Sequence, residues 1–453
     1  MANTQLNKSV QKNANNDAIT KMTFSAWIKR SALGEQIIFA AHQLSSYYTH
    51  FYFNSDDRIQ IYSFINSSTA ANLVLDRRFR DTNAWYHIVL TIDTTLGTDT
   101  DRMKVYVNGV RETVTNGGTT YPSQNSAFGQ FSDTGATLNI GNTANRAVFD
   151  GLMSHVHYTP YYAYDASYFG STDSTTGEWK INTSPNVTYT TAGFFILKDG
   201  NSVTDQSGNS NNFTVGSGEV TKTEDCPSNV YATANPLVRN QVTITTANLT
   251  VRSPSSNWMG IPATMGVSSG KYYWEYKLAL GNAWSQCGVM SSRPSGGYNG
   301  IYSTYVGNLE GGLALNSGNG DFYHDGSSGA YSTSAWFSGG LAEYDIIGVA
   351  LDATNSKIWF SKNGTWGNSS NPSTGSGGID FSGDTDFTNY KPYFPAFSMH
   401  NCILTLNFGN GYLGTSEITT NSGSGFQDAD GNGRFYYAVP TNFRCLSTKG
   451  LNQ

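Results

Sequence analysis

In Trp85-Tyr-His-Ile-Val-Leu-Thr-Ile92, Tyr86, Ile88, Leu90 and Ile92 fall on one side of a period-two alternation. That is the pattern of a β-strand with one face in a core. Met103, Val105 and Val107 extend the same set and run directly into Asn108-Gly109. Asn-Gly between alternating runs marks a tight hairpin, because both central turn residues need positive φ. Upstream, Met22, Phe24, Ala26 and Ile28 alternate likewise. Downstream, Lys357-Ile-Trp-Phe-Ser-Lys362 leads into a second Asn363-Gly364. Around it lie the short apolar runs Tyr272–Leu278, Ile346–Asp352 and Cys402–Phe408, bounded by Gly, Ser, Asn or Asp. No segment keeps a helical period over several turns. The chain reads as all-β: two antiparallel β-sandwich (jelly-roll) domains in tandem.

Length and composition agree. A chain of 453 residues exceeds what one core usually serves. Charged residues are 13% of the total, about half the roughly 25% of ordinary soluble domains, so solubility rests on Ser, Thr, Asn and Gly. The net charge of −6 comes with no run of Lys or Arg, which argues against nucleic acid as a partner. No apolar stretch approaches the roughly 20 residues of a membrane span, so no membrane insertion is expected. The start, MANTQLNKSVQKNANNDAIT, lacks the apolar centre of a secretory signal, so synthesis in a cytoplasm without export by that route is expected.

Composition shifts divide the chain. Residues 1–20 read as a polar N-terminal anchoring arm, 21–220 as the first sandwich with a C-terminal extension, and 221–240 as a linker containing Pro227 and Pro236. Residues 241–415 read as the second sandwich and 416–453 as a C-terminal tail segment.

These segments carry resemblances. Phe24–Lys29, Trp85–Leu90, Lys104–Gly109, Leu138-Asn-Ile-Gly141 and Phe149–Ser154, in that order, resemble a laminin G-like, concanavalin A-type jelly roll. Lys271–Glu275, Asp345–Asp352, Ile358–Gly364 and Tyr393–Phe397 resemble a SPRY domain. The stretches after the jelly roll, among them Asp205-Gln-Ser-Gly-Asn209, and the closing Arg434–Cys445 give the whole an arrangement similar to virion appendage or tail-fibre proteins of tailed bacteriophages, notably marine ones. In other laminin G-like modules the Asp-x-Ser-Gly-Asn signature often precedes the first strand; here it follows the last, so no metal role is carried over to Asp205. The resemblance implies a structural protein of the virion that mediates host attachment. The arm would dock onto other virion proteins, the sandwiches would meet a host-surface glycan or receptor, and the protein would form a homo-oligomer in the particle. A purely architectural decoration of capsid or tail is the alternative.

Enzymatic readings lack their residues. There is no His-Glu-x-x-His and no phosphate-cradling Gly-Lys-Ser/Thr loop, and nothing reads as a strand-to-helix nucleophile elbow. A polysaccharide-degrading enzyme needs two facing carboxylates; Glu275 stands alone between Trp274 and Tyr276. No catalytic residue is expected. His155 and His157 alone lack the ligand number of a zinc site, and Cys226, Cys287, Cys402 and Cys445 are too scattered for a disulfide framework. Asp428, Asp430 and Asn432 place oxygens at alternate positions, as the first half of a calcium loop does, but the twelfth position is Val439. A polar turn is the competing reading, and calcium is the one cofactor with candidate ligands. Carbohydrate binding would fall to aromatic side chains outside clean alternation: Tyr47, Tyr48, Tyr161, Tyr162, Tyr164, Trp284, Tyr298, Tyr302 and Tyr305.

Overall fold

A computed structural model describes residues 5–451 apart from 116–117, 144–145, 199–201, 239–240, 255, 281–283, 295–300, 303, 326, 329–335 and 420–424. The chain divides into two compact units. The first takes in the chain up to Lys222 with Cys226–Ser228, the second Thr223–Asp225 and the chain from Asn229 onward.

The first unit is a sandwich of a seven-stranded and a six-stranded sheet. The six-stranded sheet runs Phe194–Ile196, Gly151–Pro160, Lys21–Arg30, Trp85–Asp93, Met103–Val107, Val110–Arg111. The alternating set works as read: Met22, Phe24, Ala26, Ile28, Ile88, Leu90 and Ile92 are fully buried. Asn108 and Gly109 have φ of 47° and 82°, the paired positive values of the hairpin turn. The seven-stranded sheet runs Thr214–Ser217, Gln5–Ser9, Thr137–Ile140, Gln36–Leu44, Tyr47–Phe53, Arg58–Ile65, Ser68–Arg78. Its Phe39 stacks on Phe24 of the opposite sheet at 4.4 Å, and Phe51 meets Phe24 edge-on at 5.8 Å. One core thus fills the space between the sheets.

The second unit repeats the scheme with a nine-stranded and a six-stranded sheet. Strand Lys271–Leu280 lies centrally, paired with Ile346–Asp352 on one side and Ile403–Asn407 on the other. The Asn363-Gly364 turn has φ of 49° and 82° and joins Lys357–Lys362 to Thr365–Trp366.

Three boundaries differ from the sequence reading. Residues 5–9 of the expected arm form a strand between Thr137–Ile140 and Thr214–Ser217. Leu6, Val10 and Ile19 enter the core, apolar residues too thinly spaced among polar ones to show a period. The expected linker loses its second half to the second unit: Tyr231, Ala232 and Ala234 are buried, and the Ala232 N–H donates to Leu446 O at 2.9 Å. The expected tail is part of that unit too. Arg444–Cys445 pairs in parallel with Tyr272–Tyr273, and Phe435, Phe443 and Leu446 are fully buried.

Candidate functional site

A sheet face that does not look into the core must be covered or put to use. In Tyr47–Phe53 the residues Phe51 and Phe53 go to the core, which sends Tyr48, His50 and Tyr52 to the opposite face. Strand register sets their neighbours. Tyr48 lies opposite His42 and Phe64, and His50 opposite Ala40 and Tyr62. The rings form one connected cluster centred on Tyr48. Its centroid is 4.5 Å from His50, 5.5 Å from Phe64, 6.1 Å from Tyr62 and 6.2 Å from His42. Tyr52 continues the cluster, with Arg146 over its ring at 4.8 Å. Polar groups frame the rings: Gln60 Nε2 donates to Asn72 Oδ1 at 2.8 Å, and Tyr62 and Thr69 share a hydrogen bond of 3.1 Å.

The electrostatics of this face are those of an uncharged surface. His50 is 1% exposed, and burial lowers its pKa to about 3. Burial lowers the pKa of His42 as well. Neutral imidazoles offer one donor and one acceptor each. The Arg146 guanidinium is paired with Glu35 at 2.6 Å. Ala40, His42, Tyr48, His50, Tyr52, Gln60, Tyr62, Phe64 and Asn72 include no acid, so the strands of this face bring no carboxylate pair for glycoside cleavage.

The second unit carries another ring patch. Trp284 is 56% exposed; its ring lies 6.2 Å from His400. His400 lies 5.6 Å from Trp258, and Trp258 lies 5.1 Å from Tyr305, which meets Tyr323 edge-on at 6.0 Å. A cavity of about 730 Å³ in the same unit is lined by Lys271, Lys357, Lys391, Asp352, Asp380 and Trp359, among others. Its lysines are answered locally: Lys391 Nζ donates to Ala353 O at 2.8 Å, and Lys271 and Lys357 face Asp352 and Asp380 at 3.6 and 3.5 Å.

The residues singled out from sequence separate accordingly. Tyr48, Trp284 and Tyr305 stand in these ring patches. Tyr47 is on the strand, its hydroxyl bonded to the Asn66 side chain. The Tyr161 hydroxyl accepts the Asn13 N–H and donates to Asp17 O, which fastens the N-terminal segment. Exposed Tyr162 stacks on half-buried Tyr164 at 5.6 Å, and Tyr164 meets exposed Tyr168 at 4.6 Å, a trio that shares no ring contact with the sheet-face cluster. Tyr302 packs half-buried on an apolar cluster with Ile301 and Val306. Tyr298 lies outside the described residues. His42, His50, Tyr62, Phe64, Trp258 and His400 were missed. The signal for His50 was a strand aromatic on both faces, Tyr47-Tyr-Thr-His-Phe-Tyr-Phe53.

Asp428 has the geometry of the polar turn. Its Oδ1 accepts the N–H groups of Asp430 and Asn432, its Oδ2 that of Cys445, and Asp430 pairs with Arg444 at 2.7 Å. Among the described residues no cluster of three or more His, Cys, Asp or Glu is placed to hold a metal. His155 sits at a strand bulge with φ of 48°, while His157 stacks on Phe195 at 4.0 Å. Asp205 is a loop clamp, accepting from Phe195 N and Ser207 N through Oδ1 and from Asn211 N through Oδ2. Glu275 is fully buried. It accepts four hydrogen bonds, from the Tyr436 and Tyr437 N–H groups, Asn407 Nδ2 and the Tyr273 hydroxyl.

Two arrangements resemble nucleophile sites by composition. Gly266-Val-Ser-Ser-Gly270 has the letters of a nucleophile elbow, but a strand, Lys271–Leu280, follows it and not a helix. Ser25 Oγ lies 2.9 Å from His87 Nε2, and Trp179 Nε1 lies 2.9 Å from His87 Nδ1. An indole N–H can only donate, so Nδ1 must accept and Nε2 carries the proton. The imidazole therefore donates to Ser25 and cannot take its proton.

Residues 4–161 match the family described as the concanavalin A-like lectin/glucanases superfamily, in its laminin G-like form. Residues 271–411 match the SPRY domain family. The chain therefore carries a laminin G-like domain followed by a SPRY domain, and the N-terminal strand lies inside the first match. No curated protein matches the chain. Among solved structures, the SPRY domain of human HERC1 is similar at 16% identity over 38% of this chain and 96% of that one, with a TM-score of 0.30. A heptameric SAP-like pentraxin from Limulus polyphemus is similar at 18% identity over 35% and 70%, with a TM-score of 0.25. A putative carbohydrate binding protein from Bacteroides ovatus is similar at 16% identity over 49% and 60%, with a TM-score of 0.29.

Proposed function

We propose that this chain is a non-enzymatic, glycan-binding adhesion protein whose first unit takes a neutral surface polysaccharide on the face built around Tyr48, and that it serves as an appendage of a tailed-phage particle. The observation that carries the binding reading is the connected ring cluster of His42, Tyr48, His50, Tyr62 and Phe64 on a sheet face turned away from the core. Aromatic faces stack on the C–H faces of sugar rings, while Gln60, Asn72 and the His42 imidazole supply hydrogen bonds to hydroxyls. Support for the particle role comes from the order of the segments that link and follow the two domains.

The test is a glycan array probed with the full chain and with a Tyr48→Ala, Tyr62→Ala double variant. Binding to neutral glycans by the parent, at least tenfold weaker in the variant, is the expected result. Equal binding by both removes the sheet face from recognition, and shortening of a bound glycan on prolonged incubation overturns the non-enzymatic reading. Antibody labelling of purified phage particles tests the location. Adsorption unaffected by the double variant favours architectural decoration.

A further inference from the structure

We infer that the second unit carries its own sugar-stacking site for a neutral glycan, formed by Trp284, Trp258 and Tyr305 around His400. This goes beyond the sheet-face site, since it adds a separate ligand site on the SPRY domain. Four rings lie in a connected series, Trp284 to His400 at 6.2 Å, His400 to Trp258 at 5.6 Å, and Trp258 to Tyr305 at 5.1 Å. The same unit buries Trp274, Trp336 and Trp359 to 6% exposure or less, yet leaves Trp284 at 56%. Trp284 is nonetheless fixed at its backbone: the His400 N–H donates to its carbonyl at 2.9 Å. The backbone that carries the indole is thus joined directly to the segment that supplies the imidazole.

The chemistry selects the occupant. Ser256-Asn-Trp258, Trp284-Ser-Gln286, Thr304-Tyr305, Asn316–Asn319 and Ser398–Asn401 contain no charged side chain. The carboxylate that follows, Asp321, takes the Asn319 side-chain N–H at 3.1 Å and is engaged within its own loop. Adjacent rings are tilted 34°, 53° and 59° to one another, which gives separate facets and no continuous apolar trough for a helix or peptide. Facets spaced by amides and hydroxyls suit a chain of sugar residues with alternating C–H faces and hydroxyl edges.

The experiment uses the full chain labelled with 5-fluorotryptophan and observed by fluorine NMR, with its nine tryptophans assigned by single Trp→Phe variants. The probes are cellohexaose, laminarihexaose, maltoheptaose and yeast mannan, with a casein digest as the peptide control. Saturable shifts of the Trp258 and Trp284 resonances with at least one glycan are expected, and their persistence in the Tyr48→Ala, Tyr62→Ala variant separates this site from the sheet face. Trp284→Ala should weaken the response of Trp258 at least tenfold, while the other resonances report an intact fold. Failure of all four glycans to move either resonance, movement by the casein digest alone, or an undiminished Trp258 response in Trp284→Ala each overturns the inference.

Discussion

Glu275→Gln replaces one of two buried carboxylate oxygens with an NH₂ group, and the geometry predicts where the damage falls. Oε2 accepts from the Tyr436 N–H and Asn407 Nδ2; Oε1 accepts from the Tyr437 N–H and the Tyr273 hydroxyl. Asn407 cannot turn its amide to help, because its Oδ1 already holds the Gly409 and Gly411 N–H groups. The Tyr273 hydroxyl can rotate and accept. The glutamine therefore keeps its oxygen on the Oε2 side and strands the Tyr437 N–H. A stranded buried donor costs about 1–3 kcal/mol; about 2 kcal/mol corresponds to a change of about 30-fold. Burial raises the Glu275 carboxyl to about 7, so at pH 8 the parent presents the ionised acceptor. Amide hydrogen exchange at that pH should show Tyr437 exchanging about 30-fold faster in the variant and Tyr436 much less affected. Equal exchange at Tyr437 in parent and variant, or a larger change at Tyr436, would refute the reasoning.

Acid should unfold the first unit. His50 and His87 are pushed down to about 3 by burial, so between about 6.5 and 3 the unfolded chain binds protons that the fold refuses, and stability falls as pH falls through that window. At pH 5 each contributes a loss of about 2 kcal/mol, checked by urea titrations at pH 7 and 5; a midpoint for the first unit that does not move would contradict it. Gly109→Ala should destabilise the first unit more than Gly34→Ala. Both glycines have positive φ, but a Cβ at Gly109 would stand 2.4 Å from the Trp179 ring, while none would be met at Gly34. The left-handed backbone costs about 1–2 kcal/mol in each case, and thermal melts of both variants isolate the extra loss from displacing Trp179.

The first sandwich was legible because its central strands set apolar side chains on the core face against mostly polar ones on the other, Thr23, Ser25, Lys29, His87 and Thr91, which are themselves buried, so Met22 to Ile28 and Tyr86 to Ile92 show their period directly. The strand Tyr47–Phe53 hid for the opposite reason. With rings on both faces, Tyr48, His50 and Tyr52 away from the core and Phe51 and Phe53 inside it, the strand has no alternation to read. Arg444–Cys445 and Tyr436-Tyr437 were illegible because short segments gain their structure from distant partners, here Tyr272-Tyr273 and the Glu275 carboxylate. The turn at Asp428 was undecidable locally. Asp, Asn and Gly serve calcium loops and plain turns alike, and only the remote Cys445 N–H and Arg444 show how its oxygens are spent.

The chemistry of the ring patches also bears on how adhesion would work. Covering the half-buried faces of Tyr48, Tyr62 and Phe64 removes on the order of 100 Å² of apolar surface, or about 2.5 kcal/mol. A few hydrogen bonds to hydroxyls add about 1 kcal/mol each, against at least about 4 kcal/mol for lost translation and rotation. With about three such bonds the balance leaves a single face at about −1.5 kcal/mol, a dissociation constant on the order of 0.1 M. Charge cannot rescue it, because the histidines are neutral and Arg146 is already bound to Glu35. An uncharged site of this size holds a surface only when repeated, where linked contacts raise the effective affinity by about 10²–10⁴. The proposed adhesive role therefore demands many copies on one particle. A second ring patch on the same chain doubles the contacts each copy offers.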